Sequence, residues 1–416
     1  MNKIECEVLI LGGGCAGLWL QYELCRKGYF VVLVENGILG QYASTRNQGW
    51  LQSGALYTLR NTPSAVVEQC KEGYKRITKF DQIHSLNSID KNSQAIFVFP
   101  TPREMEKALE RITNAGLQSE PIGNRDFKKI VAVLYGAEKL QSALQTTDVT
   151  VDTYLLLRGL VANILECGGR FYLLEDTLVD QIDGHESSMH WEIVIKDCRF
   201  LAPIVVCTAG TLIPRVYSKL TAQDFPGIVK KATVFTFHQR LCRRLVVIQD
   251  VRMHLLNLSP FSAGTTANMG GLDLEADSAC DADVEVGQIQ YLQEIITDFL
   301  PGFRSWIPCG LTVYICQKLE LKQTAIKSQP LGIRHYILEE PRQNLFFLYP
   351  GKFTIAPVAA FELTRKLSER LGSPVHKGKT VVHASRPVVA QRSYFGNITH
   401  HVLVQSDGIR IIPVAG

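Results

Sequence analysis

Val8-Leu9-Ile10-Leu11-Gly12-Gly13-Gly14-Cys15-Ala16-Gly17 carries four apolar residues straight into a glycine-rich turn. The run, with Cys6 and Glu7 before it, reads as a short buried strand, and Leu18 to Lys27 has helical spacing. A second apolar run, Phe30 to Val34, ends in Glu35. Strand, turn, helix, strand and terminal acid in register form a βαβ dinucleotide fingerprint. In it Gly12 allows the tight turn, Gly14 lets the backbone approach a pyrophosphate, and Gly17 allows close helix-to-strand packing. Cys15 and Ala16 open the helix, where unpaired N–H groups and the helix dipole favour the phosphates. Glu35, 18 residues after Gly17, stands where a carboxylate accepts hydrogen bonds from ribose hydroxyls. An adenosine diphosphate moiety is common to NAD and FAD, so the fingerprint alone does not choose between them.

The rest of the chain bounds the setting. Its 416 residues are enough for two or three domains, and 46% hydrophobic content suits a folded chain with a sizeable core. Lys plus Arg exceeds Asp plus Glu by four, and residues 371–416 account for the whole excess. A neutral remainder argues against a broad nucleic-acid surface. The eleven cysteines are odd in number, scattered and without a C-x-x-C pair. Reduced thiols in a cytoplasmic protein are expected. No run of about 18 apolar residues occurs, so no transmembrane segment is expected, while peripheral membrane contact stays open.

Three later segments choose FAD. The first is Leu201 to Gly210, an apolar strand ending in Thr208-Ala209-Gly210. The second is Gly168-Gly169-Arg170-Phe171-Tyr172-Leu173, followed by Thr177-Leu178-Val179. The third is Tyr349-Pro350-Gly351-Lys352-Phe353-Thr354, running into a helical pattern from Ala356 to Leu371 with Pro357 in its first turn. With the fingerprint, these resemble the D-amino-acid-oxidase-like superfamily of FAD-dependent oxidoreductases, over roughly residues 4 to 372. The third segment is similar to the G-G-K-[LF]-T turn of the glycerol-3-phosphate dehydrogenase branch, with Pro350 in place of its first glycine. The glycerol-3-phosphate and L-2-hydroxyglutarate dehydrogenase branches are the nearest by this comparison. Other flavoprotein classes fit less well: no redox C-x₄-C follows the first unit, and there is neither a second G-x-G-x-x-G nor a Gly-Asp dipeptide.

The resemblance implies an α/β fold: a Rossmann-like FAD-binding domain with a second, α+β substrate domain built on an antiparallel sheet. The FAD-binding domain would be assembled from residues 1–80, 146–225 and 330–372, and the substrate domain from 81–145 and 226–329. Helical spacing is found over 63–80, 103–115, 153–166 and 285–299, and strand-like runs over 230–257. In the extension 373–416, two apolar runs flank Ser406-Asp407-Gly408, which predicts a β-hairpin closed by an Asp-Gly turn. It would cap the domain or contact a partner.

The resemblance also implies roles. Gly210 would let the chain pass close to FAD, and Val179 would present its backbone to the adenine edge or be an ordinary core valine. Gly351, Lys352, Phe353 and Thr354 would meet the flavin ring. The Lys352 ammonium, if not simply a loop lysine, would favour the negative charge of a reduced flavin. Ser44, Thr45, Arg46 and Asn47 match positions that touch the pyrophosphate and flavin. Gln52 stands where the hydroxy-acid and glycerol-phosphate branches usually carry a histidine near the substrate. Glutamine hydrogen-bonds but is no base, so another group takes the proton, or the substrate is an amine that arrives neutral, or the site is not catalytic. Arg334 lies roughly where amine-oxidising relatives place a carboxylate-binding arginine, and reads equally as a surface ion pair. Trp50 and Tyr57 are cavity or core aromatics, and His238 and His254 read as structural. No metal-ligand spacing occurs. Two functions follow. One is an FAD-dependent oxidoreductase acting on the CH–OH or CH–NH group of a small anionic metabolite and handing the electrons to an acceptor the sequence does not name. The other is a flavin-binding protein whose flavin is structural or regulatory.

Overall fold

Parallel strands need both faces covered, and the alternation along the first strand says what covers each. The structure, a computed structural model, describes residues 2–59, 64–123, 141–174, 179–187, 190–249, 255–261, 264–270, 274–276, 311–321, 336–374, 400–405 and 408–413, with isolated positions within 125–129 and 287–297 and at 389. Along the chain, β1 (Val8–Leu11) leads into α1 (Cys15–Arg26) and β2 (Val31–Glu35). After these come α2 (Ser64–Ile83), α3 (Thr153–Glu166), β3 (Arg170–Leu173) and β4 (Ile204–Cys207). Two long strands, β5 (Gly227–Phe237) and β6 (Leu311–Leu321), precede β7 (Ile337–Arg342), β8 (Leu345–Tyr349) and α4 (Ala356–Leu371).

The central sheet has the order β3-β2-β1-β4-β8-β7 and is parallel except for its edge strand β7. Val8 and Ile10 join a core with α1, α3 and α4, whereas Leu9 and Leu11 join one with Trp191, Ile193, Phe200 and Val216. The period-two pattern therefore presents one face to helices. The other face meets a four-stranded sheet built from Asn2–Glu5, Ile182–Glu186, Trp191–Ile195 and Cys198–Ala202, together with the helix Ile213–Thr221.

The apolar run from Leu201 to Cys207 is divided between these two layers. Cys198–Ala202 pairs in the small sheet and β4 pairs beside β1. Pro203 stands at the break; without an N–H it cannot continue a ladder, and the chain changes sheets there.

A second, large sheet carries β5 and β6 paired antiparallel from Gly227↔Leu321 to Phe237↔Leu311. It extends through Gly264–Gly270 and Leu255–Phe261 to Val246–Gln249, then to Ile96–Phe99 and Ser142–Thr146. The expectation of an antiparallel sheet needs one correction: Val246–Gln249 pairs with Ile96–Phe99 in parallel. The two strands come from separate stretches of chain on either side of α3, β3 and β4, so no hairpin dictates their direction. The C-terminal strands His400–Gln405 and Gly408–Pro413 pair with each other and join the same sheet through Thr312↔His401. The expected hairpin is present and extends the sheet on the β6 side; its turn residues Ser406 and Asp407 lie outside the described residues, as does most of 285–299. Among the described residues no helix is long and apolar enough to cross a membrane.

Candidate active site

Between the C-terminal ends of the central strands and the face of the large sheet lies a cavity of about 740 Å³. Crevices outside the carboxyl ends of parallel strands are where such folds take ligands. Four stretches far apart in the chain line it: Gly12 and Gly14 to Ala16, the loop Gln41 to Gln48, Thr208 to Leu212, and Tyr349 to Thr354.

At the first, each glycine has its own reason. Gly12 has φ +113°, and a Cβ there would lie 2.8 Å from the Ala209 backbone. A Cβ on Gly17 would fall 2.1 Å from the Gly12 carbonyl oxygen and 2.7 Å from Thr208 Oγ1, so this glycine lets α1 seat against the turn and does not itself line the cavity. Thr208 Oγ1 donates to the Gly12 carbonyl at 2.7 Å, locking the end of β4 to the turn. Gly14 is different. Its backbone is ordinary extended chain, φ −75° and ψ −177°. A Cβ would meet only Ser44 Oγ, at 3.2 Å. Conformation does not demand glycine at position 14, and packing asks only that Ser44 Oγ give by a few tenths of an ångström; a phosphate seated in the cavity would demand it. Gly14→Val is therefore expected to leave the protein folded, with stability changed by no more than about 1 kcal/mol, and to abolish stoichiometric FAD. Flavin absorbance of the purified variant checks this.

Glu35 closes the far end of this cradle. Its Oε2 accepts from Gly13 N at 2.6 Å and its Oε1 from Asn36 N at 2.8 Å. Burial raises its pKa, and the two N–H groups oppose that rise. Val179 is buried and lines the same cavity, as do Leu174 and Ile182. An adenosine end at Glu35, phosphates at the α1 N-terminus and an isoalloxazine at the Gly351 turn match what this lining offers, so the residues present fit FAD.

The loop after β2 divides its labour. Ser44 Oγ accepts from Cys15 N at 2.8 Å, tying the loop to the first turn of α1. Asn47 holds the loop's shape: Nδ2 donates to the Ala43 and Ser44 carbonyls, and Oδ1 accepts from Gly49 N. Thr45 departs from its expected place. It is buried and does not line the cavity, because its Oγ1 is engaged within the loop, donating to the Gly40 carbonyl at 2.7 Å. Arg46 does reach the cavity, its guanidinium 5.8 Å from the Tyr42 ring centroid. Its electrostatic neighbours are Tyr42, Tyr314 and Cys316, the last two on β6, and burial lowers its pKa.

Gln52 is held at both ends. Its backbone N donates to Thr354 Oγ1 at 3.1 Å, and its Oε1 accepts the Tyr57 hydroxyl at 2.7 Å. Trp50 and Tyr57 are buried and also line the cavity, so the choice between core and wall dissolves. Opposite, Gly351 turns with φ +68°, Lys352 is extended, and Phe353–Ile355 makes one 3₁₀ turn into α4. Lys352 Nζ stands 6.0 Å from the Tyr57 ring centroid. Arg334 lies outside the described residues. His238 bonds Thr312 Oγ1 through Nε2 at 2.5 Å, and His254 lies outside the described residues.

Three contributors were given no role from the sequence, although Tyr349 opens the segment that ends in Thr354. Asp148 is fully buried behind the Gln52 segment, where Oδ2 accepts from Trp50 Nε1 at 3.0 Å and Oδ1 from Ser53 N at 2.6 Å. Burial pushes its carboxyl up to about 6, against the pull of these donors. Tyr349 Oη accepts from Leu319 N at 2.9 Å, tying the end of β8 to β6. Asn257, from the large sheet, is 5% exposed, lines the cavity, and its carbonyl oxygen has no hydrogen-bond partner.

Comparison with known proteins places this geometry. Residues 7–318 match the DAO family, FAD dependent oxidoreductase. A probable FAD-dependent oxidoreductase of Pseudomonas aeruginosa is 43% identical over 67 residues, 16% of this chain and 17% of the relative. Subunit A1 of the anaerobic glycerol-3-phosphate dehydrogenase of Haloferax volcanii is 25% identical over 186 residues, 44% of this chain and 30% of the relative. The chain thus matches less than a third of the length of either curated relative. Glycine oxidase from Geobacillus kaustophilus has the same fold at 17% identity, with TM-score 0.69, covering 90% of this chain and all of that one.

Proposed function

The chain belongs to the family of FAD-dependent oxidoreductases, and from that premise we propose that it removes a hydride from the CH–NH or CH–OH group of a small, anionic metabolite. The observation that carries the reading is convergence: Gly12, Gly14, Cys15 and Ala16 of the fingerprint, Ser44, Arg46 and Asn47 of the loop, the end of β4 and the Gly351 turn all line one cavity roofed by the large sheet. We take residues 1–80, 146–225 and 330–372 as the FAD-binding unit and 81–145 with 226–329 as the substrate unit. The membership of their strands in the central and the large sheet supports that division. We place the chain nearest the glycerol-3-phosphate and L-2-hydroxyglutarate dehydrogenase branches, with support from the Gly351-Lys352-Phe353-Thr354 turn and the Haloferax relative.

FAD, when bound, supplies the electron sink for the hydride. The protein's part is to hold and orient. Gly14, Ser44 and the first turn of α1 would seat the phosphates, and Glu35 the ribose. Lys352 and the start of α4 would set a positive potential beside the flavin ring. Gln52 cannot take a proton. With its carbonyl engaged by Tyr57, it offers the cavity an amide N–H donor suited to an oxygen of the substrate. This favours an amine that arrives neutral over an alcohol that needs a base.

Anaerobic mixing of the holoprotein with panels of amino acids, N-alkyl amino acids and 2-hydroxy acids tests the reading. Bleaching of the flavin by a member of these panels is expected, and an amine's rate should rise with pH along the amine's own titration. Oxygen consumption then separates oxidase from dehydrogenase. If the flavin stays oxidised with every member, the second reading, a structural or regulatory flavin, replaces the first; Gln52 in the histidine's place is its motivation. Lys352→Ala is expected to keep FAD and to lower its midpoint potential by about 30–60 mV, equivalent to about 1.4–3 kcal/mol for a two-electron couple. An unchanged potential in a dye-equilibration titration would refute the electrostatic role.

A further inference from the structure

A cation half-withdrawn from water calls for an anion, and among the described residues none pairs with Arg46. Among the described residues no carboxylate lies beside its guanidinium; the groups around it are Tyr42, Tyr314 and Cys316, and burial already disfavours its charge. The cavity-lining lysines of the roof differ in having a carboxylate in contact: Lys230 and Lys318 share that of Glu320, at 3.1 and 3.0 Å. Withdrawing a charge from water is costly unless it is paired, and an anionic ligand in the cavity would supply that pairing.

Two anions could do so, the phosphates of the cofactor or the acidic group of the substrate, and position decides. The phosphate end is marked by Gly14 and by Ser44 Oγ on Cys15 N, at the start of α1. Arg46 lines the cavity and has two residues of the roof, Tyr314 and Cys316, among its electrostatic neighbours. Tyr314 and Cys316 stand opposite Val234 and Ala232 of β5, and Cys316, Val234 and Ala232 line the cavity. Asn257 belongs to the same row of the sheet: it pairs with Asn268, which pairs with Val234, which pairs with Tyr314. Its buried carbonyl oxygen is a second polar group of this roof with no protein partner.

We propose that Arg46 is the anchor for the substrate's oxyanion, a carboxylate or a phosphate monoester, and is not a ligand of the cofactor's phosphates. A planar guanidinium pairs bidentately with either group. This rests on the function proposed above but can fail separately from it, because anion binding is read without turnover.

The experiment uses native, Arg46→Met and Arg46→Lys holoproteins in saturating FAD. Acetate, glycolate and methyl phosphate are titrated against flavin absorbance, with acetamide as the neutral control, and FAD affinity is measured separately by fluorescence quenching on the apoproteins. The native protein is expected to bind acetate, glycolate or methyl phosphate, and the preferred one tells carboxylate from phosphate. Arg46→Met should weaken that oxyanion by about 10- to 100-fold, the loss expected of a charge-assisted pair, with acetamide and FAD affinities changed by less than about threefold. Arg46→Lys should fall between, since it keeps the charge and loses the fork. Oxyanion affinity unchanged in Arg46→Met, or no oxyanion binding by the native holoprotein, would overturn the proposal. So would an FAD affinity reduced more than the oxyanion affinity of the FAD-saturated variant, which would assign Arg46 to the phosphates. Should Arg46→Met not fold, Arg46→Lys decides by the same comparison. Oxyanion binding through Arg46 without any flavin reduction would sink the catalytic function and leave the anchor standing.

Discussion

Gly17→Ala is expected to give a protein that holds no FAD and is destabilised by about 3 kcal/mol or more. The single methyl would sit 2.1 Å from the Gly12 carbonyl oxygen, a backbone atom already accepting from Thr208 Oγ1, and no flexible side chain is available to yield. Either α1 must lift from the turn or the turn must open toward β4. Both movements spoil the N-terminus that faces the phosphates. Urea unfolding of the apoprotein, with flavin content of the purified variant, is the measurement. The contrast with Gly14→Val is the informative part: three residues apart, one substitution should unfold the cradle and the other only fill it. A Gly17→Ala protein of native stability would show that the helix has room the structure does not give it.

Asp148→Asn is expected to reduce stability by about 2–4 kcal/mol. The carboxylate accepts from both Trp50 Nε1 and Ser53 N, and an amide offers only one acceptor oxygen, so one buried donor loses its partner. Because the two donors flank Gln52, the loss should also loosen the site, weakening the oxyanion probes while FAD stays bound. The pH signature separates this residue from generic damage. Burial holds the carboxyl up to about 6, above its ordinary value of 3.8. The native state therefore keeps a proton that the unfolded chain releases, and this contribution to stability is full below about pH 4, declines as pH rises to about 6, and is absent above. The native-minus-variant difference in unfolding midpoint between pH 4 and 7 should carry that slope. A flat difference would refute the raised pKa.

The βαβ start was legible because everything it needs is local: apolar runs of strand length, glycines at fixed offsets, an acid at the strand tip. The Gly351 turn was legible as a pattern, and its meeting with the fingerprint followed from resemblance and not from spacing. What sequence reasoning could not reach depends on contacts across the fold. Asp148 has no neighbours in sequence that mark it; its donors are 95 and 98 residues away. Gly73, in the middle of α2, looks like a weak point in a helix, yet a Cβ there would lie 1.9 Å from the Thr354 carbonyl oxygen. That glycine lets α2 press directly on the turn beside Lys352. Thr45 was misplaced for a related reason: a residue between Ser44 and Arg46 shares their loop but points the opposite way, and side-chain direction in an irregular loop has no period to read.

The sheet order has a consequence in time. β8 lies inside the central sheet, between β4 and β7, and the turn that follows it forms one wall of the cavity. During synthesis the fingerprint leaves the ribosome ahead of the rest of its sheet, which gains β3 only after residue 173, β4 after residue 207 and β8 after residue 349. A nascent chain therefore carries a phosphate cradle long before it has anywhere to put an isoalloxazine. Flavin loading then waits for β8, and a truncation that removes β8 should lose the cofactor even though every residue of the fingerprint is intact.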